Sequence, residues 1–143
     1  MLRAGKVHII PILAAAGIIL LAGLLFLARE SPVSAADRFL VALAKGDVDQ
    51  LMDLSYYAGD REELRRQWEF ATQEAGKYYR FRYKIRFARE VGDTAAVSLE
   101  FERDALSGAS FPENRQIPMV RDGGRWKVDV AAITRDLYPA LPR

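Results

Sequence analysis

The feature that most constrains this chain is an uncharged run from Val7 to Ala28, VHIIPILAAAGIILLAGLLFLA, bounded by Lys6 and Arg29. As a helix rising about 1.5 Å per residue it extends about 33 Å, against a hydrocarbon core of roughly 30 Å. A helix satisfies its own backbone polar groups, so such a run is compatible with lipid. The spacing predicts a transmembrane signal anchor over 7–28, with membrane lipid as its partner. Arg3 and Lys6 predict that residues 1–6 stay cytoplasmic. The rest of the chain is then expected outside a bacterial inner membrane, as a single-pass protein. The alternative is secretion: Val33-Ser34-Ala35 resembles a small-residue cleavage site, and cleavage after Ala35 frees the domain.

Once residues 1–30 are set aside, 21 basic residues become 18 and 19 acidic residues become 18. The domain is nearly neutral, so the basic pI gives no support for nucleic-acid binding. The chain has no cysteine. That excludes a disulfide framework, a thiol nucleophile, a thiolate metal site and a cysteine-linked lipid anchor. The one histidine, His8, lies in the apolar run and outside the expected domain. A Ser-His-Asp set is therefore excluded from the domain, and neither a metal cluster nor a cofactor motif is expected.

Past the joint Glu30-Ser31-Pro32, three helices are predicted. The first covers 32–45, with Phe39, Leu40, Leu43 and Ala44 on one stripe and Gly46 at its end. The second opens at the capping pair Asp47 and Gln50, and Tyr56-Tyr57-Ala58-Gly59 breaks it. The third opens at Asp60 and Glu63 and runs to Ala75, with Leu64, Trp68, Ala71 and Ala75 at helical spacing. The period then changes to two. Tyr79, Phe81, Tyr83, Ile85 and Phe87 alternate with Arg80, Arg82, Lys84 and Arg86, which predicts a strand. Ala95, Val97, Leu99 and Phe101 alternate likewise after Gly92-Asp93. A three-residue loop keeps the apolar residues of both strands on one face and sets the basic row against Ser98, Glu100 and Glu102. A second hairpin is expected around Asp122-Gly123, setting Met119 opposite Trp126 and Ile117 opposite Val128. Residues 103–115 form a polar connection, and 139–143 a proline-rich tail.

Helices followed by hairpins predict an α+β fold: the N-terminal transmembrane helix, then three helices packed on a curved four-stranded antiparallel sheet, a cone-shaped α+β barrel over 32–138. Residues 35–56, AADRFLVALAKGDVDQLMDLSY, and 119–130, MVRDGGRWKVDV, resemble the nuclear transport factor 2-like superfamily, also called ketosteroid isomerase-like or cystatin-like. They are closest in style to its small exported bacterial domains of unknown function. The superfamily spans isomerases, dehydratases, binding proteins and assembly parts of secretion systems, so the fold does not choose among them.

The resemblance implies that an enzyme of this type would use a cavity Asp or Tyr as acid or base. Asp53 and Tyr56 are the weak catalytic candidates, against the reading of Asp53 as a solvated helix residue. Trp68, Phe81, Tyr83, Phe101 and Trp126 either line a cavity for a small apolar ligand or are simply core. The basic row reads as a solvated outer sheet face, or as a surface for a protein partner or homodimer. Phe70, off its helix stripe, and Phe111, in a loop, mark a partner surface if both are exposed. The expected function is a non-catalytic, extracytoplasmic, membrane-anchored domain that binds a partner protein or a small apolar ligand in the cell envelope. The alternatives are a small isomerase- or dehydratase-like enzyme and an assembly component of an inner-membrane secretion or transport complex.

Overall fold

The computed structural model describes residues 9–27, 29–104 and 110–143. The expected arm 1–6, His8, the two ends of the apolar run and part of the 103–115 connection lie outside the described residues. The first helix, α1, covers Ile9–Leu27. Its 19 residues extend about 28 Å at the usual rise. Among the described residues no helix is long and apolar enough to cross a membrane. The expected transmembrane helix is thus corrected: the described helix falls short of a core of roughly 30 Å. Its side chains from Pro11 to Leu24 are nonetheless exposed, Ile12, Leu13, Ile18, Ile19 and Leu24 among them.

Helix α2 (Pro32–Lys45) begins where the sequence predicts. Ser31 caps it by accepting the Ser34 backbone N–H at 3.1 Å, and Pro32 occupies the first turn, where no N–H is needed. Gly46, with φ 67°, ends it. Ala35, Ala36, Phe39, Leu40 and Leu43 are buried along one stripe. Cleavage after Ala35 would remove the cap and the first turn, including a residue that faces the core. Helix α3 (Val48–Leu54) is capped by Asp47, and α4 (Arg61–Glu69) by Asp60. The third helix is not α-helical to Ala75: residues Phe70–Ala75 form a π-helix. The wider turn advances the buried stripe by one residue, so Ala71 and Thr72 are buried and Ala75 is exposed. The Thr72 hydroxyl donates to the Trp68 carbonyl at 2.8 Å.

The sheet has five strands in the order β1-β5-β4-β3-β2. They are β1 (Ser55–Tyr56), β2 (Phe81–Val91), β3 (Thr94–Arg103), β4 (Glu113–Asp122) and β5 (Arg125–Asp129). β1 runs parallel to β5, with Ser55 opposite Val128 and Tyr56 opposite Asp129. The expected four-stranded antiparallel sheet is therefore a five-stranded mixed one. Two residues are too few to show a period, so β1 reads in the sequence as the break after a helix. The α+β class stands.

Both hairpins depart from the predicted turns, although Phe81 to Ile85 keep the predicted pairing with β3. β2 and β3 are joined by a two-residue turn, Val91 lying opposite Thr94, not by three residues. The offset that keeps the apolar rows together comes from a bulge between Ile85 and Phe87. Before it, Tyr83 faces Phe101 and Ile85 faces Leu99; after it, Ala88 faces Val97. In the second hairpin the turn is Gly123-Gly124, with φ 58° and 77°. A turn with two positive φ angles costs glycine little and aspartate more, so the turn moves one residue along. Met119 then faces Val128 and Arg121 faces Trp126, two residues off the expected pairing but on the same faces.

The core lies between the helices and the inner sheet face. Trp68 is 0% exposed; its ring meets Phe39 edge-on at 5.8 Å, and its indole N–H donates to the Ser55 hydroxyl at 3.2 Å. Phe81 stacks on Phe101 at 5.0 Å. Residues after β5 close the core, with Ile133, Leu137, Tyr138 and Leu141 buried. The 139–143 stretch is held by Arg135, whose guanidinium donates to the carbonyls of Leu141 and Pro142. Tyr57 donates to the Arg143 carbonyl at 2.7 Å.

Candidate binding surface on the outer sheet face

The bulge in β2 builds this surface. Two residues of a bulged strand oppose one residue of the neighbour, and both can point to the same side. Here Arg86 and Phe87 stand beside Ser98. Phe87 is consequently turned away from the core that the alternation assigned to it, and is 59% exposed. Among the described residues the helices pack on the inner side and leave this outer side bare. A groove of about 500 Å³ runs beside Phe87, lined by Arg86, Ser98, Asn114, Gln116 and Thr134. Gln116 lies opposite Ser98, and Asn114 opposite Glu100, so hydrogen-bonding side chains flank the aromatic ring. Ala96 and Pro118, opposite one another, continue an apolar strip along the same face.

The basic row lies on this face too. Arg82 pairs with Glu102 at 3.4 Å and Arg86 with Glu100. At the other margin Lys127 pairs with Asp122 at 3.2 Å. Exposed pairs like these contribute about 0–1 kcal/mol each and set which charges a partner meets. Arg115, which also lines the groove, pairs with Glu113 and Asp136.

The catalytic candidates are placed differently from a cavity base. Asp53, on α3, is half-exposed and takes both arms of Arg125, at 3.1 and 2.8 Å. The Arg125 hydrogen bonds hold its carboxyl below the usual carboxylate range, with Lys127 and Arg38 adding to the effect. A proton-abstracting aspartate near neutral pH requires the opposite shift. Tyr56, on β1, has an exposed side chain, and no hydrogen bond among the described residues joins it to Asp53. The Asp53–Arg125 pair stabilises the fold above the ordinary aspartate range, and that contribution is lost as pH falls through the lowered pKa. Because both groups are half-exposed, a double-mutant cycle with Asp53→Asn and Arg125→Gln is expected to give a coupling below about 1 kcal/mol at pH 7 and a smaller one at pH 2. Urea unfolding of the four proteins at both pH values checks this.

Of the five cavity candidates, Trp68, Phe101 and Trp126 are buried and Phe81 and Tyr83 half-buried. Arg121 lies over the Trp126 ring, 4.7 Å from its centroid. The Tyr83 hydroxyl donates to the Asp37 carboxylate at 2.7 Å, tying β2 to α2. Burial first, and then that carboxylate, push the Tyr83 phenol above its ordinary pKa. Phe70 and Phe111 are both exposed. Phe70 borders a second groove of about 440 Å³ with Gln67 and Leu141. Among the described residues no group of three or more His, Asp or Glu could hold a metal ion. The alternation pointed to Phe87 but put it on the wrong face. The available signal was its incompatibility with a two-residue turn at Gly92-Asp93.

No family model matches the chain, and no curated protein matches it. Solved structures do. A SEC-C motif-containing protein from Rhodopseudomonas palustris is 16% identical, with a TM-score of 0.50, over 69% of this chain and 75% of that one. A protein described as a calcium/calmodulin-dependent protein kinase type II association domain, from Thiobacillus denitrificans, is 15% identical, with a TM-score of 0.50, over 68% of this chain and 89% of that one. A cystatin-fold protein from Novosphingobium aromaticivorans is 18% identical, with a TM-score of 0.43, over 70% and 97%. At these identities the likeness is one of fold.

Proposed function

We propose that this chain, whose fold is the nuclear transport factor 2-like, cystatin-like one, is a non-catalytic binding domain that docks a partner protein on the bare face of its sheet. Such a fold fits a ligand-binding domain. The observation that carries the reading is Phe87, placed by the bulge on an uncovered face beside a groove with hydrogen-bonding walls. An exposed aromatic next to a pocket is a usual anchor of protein interfaces. The interior favours a protein over a small apolar ligand, because packed rings and the buried Leu137, Tyr138 and Leu141 fill it. The domain acts at a membrane of the cell envelope, with α1 in contact with lipid. The exposed apolar side chains of α1 support that location, since an apolar surface of this kind is stable under cover and costly in water. The enzyme alternative draws no support from Asp53, which is held ionised by Arg125.

A photo-crosslinking residue at position 87 of the full chain, irradiated in native membranes, tests the reading. A discrete adduct is expected at 87 and none at 91, an exposed position at the hairpin end. An adduct of two 16.1 kDa chains identifies the partner as a second copy. Equal labelling at 87 and 91, or no adduct at either, refutes the docking surface.

A further inference from the structure

We propose that the free edge of β2 takes an extended partner segment as a sixth strand, and that this segment alternates acidic with apolar residues. This edge is a separate surface from the Phe87 groove. Among the described residues β2 ends the sheet, with β3 as its one sheet neighbour. Along Phe81–Val91 one set of backbone N–H and C=O groups therefore points away from the sheet. Such a row is a template for another extended chain.

The two rows of side chains on β2 specify what that chain carries. On the inner side Phe81, Tyr83 and Ile85 are half-buried, whereas Leu99 and Phe101 beside them on β3 are buried. The difference is the missing neighbour on the far side, so apolar residues of an added strand complete the cover. On the outer side Arg82, Lys84 and Arg86 meet Glu100 and Glu102. Among the described residues no ion pair reaches Lys84. A cleft of about 300 Å³ at this edge is lined by Arg82, Tyr83, Lys84, Glu100, Glu102 and Pro112.

The bulge sets the length. The straight part before it, Phe81 to Ile85, takes a strand of about five residues. The charges also exclude a second copy of β2 as the occupant. Two such edges paired together would bring Arg and Lys against Arg and Lys, which is destabilising for directly opposed like charges. A strand with acidic residues on its outer side meets Lys84 instead.

The probe is the capped peptide Val-Glu-Val-Glu-Val, titrated into the full chain in detergent micelles and followed by fluorescence anisotropy and amide hydrogen exchange. The peptide is expected to bind and to slow exchange along β2. The charge-reversed peptide with Lys for Glu, the parent peptide N-methylated at alternate residues, and the parent peptide against Lys84→Glu are each expected to bind about fivefold to tenfold more weakly. Lys84 is exposed, so that substitution spares the fold. The proposal is overturned by absence of binding at millimolar peptide. It is equally overturned if the N-methylated peptide binds as well as its parent, which removes backbone pairing, or if Lys84→Glu binds unchanged, which removes the charge match.

Discussion

Trp68→Ala is expected to lower the unfolding free energy by about 3–5 kcal/mol, the usual range for truncating a buried large aromatic residue. Trp68 has no solvent exposure and joins all the layers of the domain. It projects from α4, meets Phe39 of α2, and reaches Ser55 at the start of β1. Alanine leaves a cavity bounded by elements that are fixed by their own caps and ladders, so collapse into it is limited. Domains of this size are stable by about 5–15 kcal/mol, so the loss is a large share of the total. Urea unfolding monitored by circular dichroism measures it, with Trp126 retained as a fluorescent reporter. Trp68→Phe keeps most of the apolar contact and loses the indole donor. Ser55 keeps its other bond, its hydroxyl donating to the Leu51 carbonyl at 2.5 Å. The phenylalanine variant is therefore expected to lose about 1–2 kcal/mol. A loss below about 1.5 kcal/mol for alanine would show that Trp68 does not anchor the core.

Gly76→Ala is expected to destabilise by about 1–3 kcal/mol, the range for forcing extra volume into a packed site. The sign is informative. Gly76 has φ −98°, a conformation open to any residue, so the unfolded-state argument alone predicts a gain of about 0.4–1 kcal/mol from alanine. Packing reverses it: an added Cβ would overlap the ring and hydroxyl of Tyr138 and stand 2.6 Å from the Ala71 carbonyl oxygen. The π-helix ends at this glycine, and Tyr138 lies directly over it. Thermal unfolding of Gly76→Ala, Tyr138→Ala and the double variant is expected to show less than additive loss, because the clash and its partner are in contact. Stabilisation by Gly76→Ala would contradict the placement of Tyr138.

Much of this was legible in the sequence because it rests on local chemistry. Asp47, Asp60 and Gly46 mark helix ends whatever the tertiary structure does. The alternation from Phe81 to Ile85 and from Ala95 to Phe101 fixes which sides face the core. What escaped depends on partners distant in sequence or on a single extra residue. Ser55 and Tyr56 are extended because Val128 and Asp129 lie beside them, some seventy residues on. The π-turn at Phe70 changes a period of 3.6 by one residue, which a stripe of mixed Ala and Thr does not reveal. Leu141 is buried in a stretch whose prolines suggest a loose tail. At the binding surface the charged rows were readable and the aromatic was not, since Phe87 continues the apolar alternation and leaves it only through the bulge. Asp53 and Arg125 come from α3 and β5, so the pair that holds the aspartate ionised could not be seen from either segment alone.

The extra residue in β2 acts like a frameshift in a strand. Up to Ile85 odd-numbered residues belong to the interior; from Phe87 onward they belong to the surface, and Ala88 takes the inward place. The two halves of one strand thus answer to different selective demands. Substitutions at 81, 83 and 85 must satisfy the packing of the core. Those at 87 can change what the domain recognises while the core stays as it is.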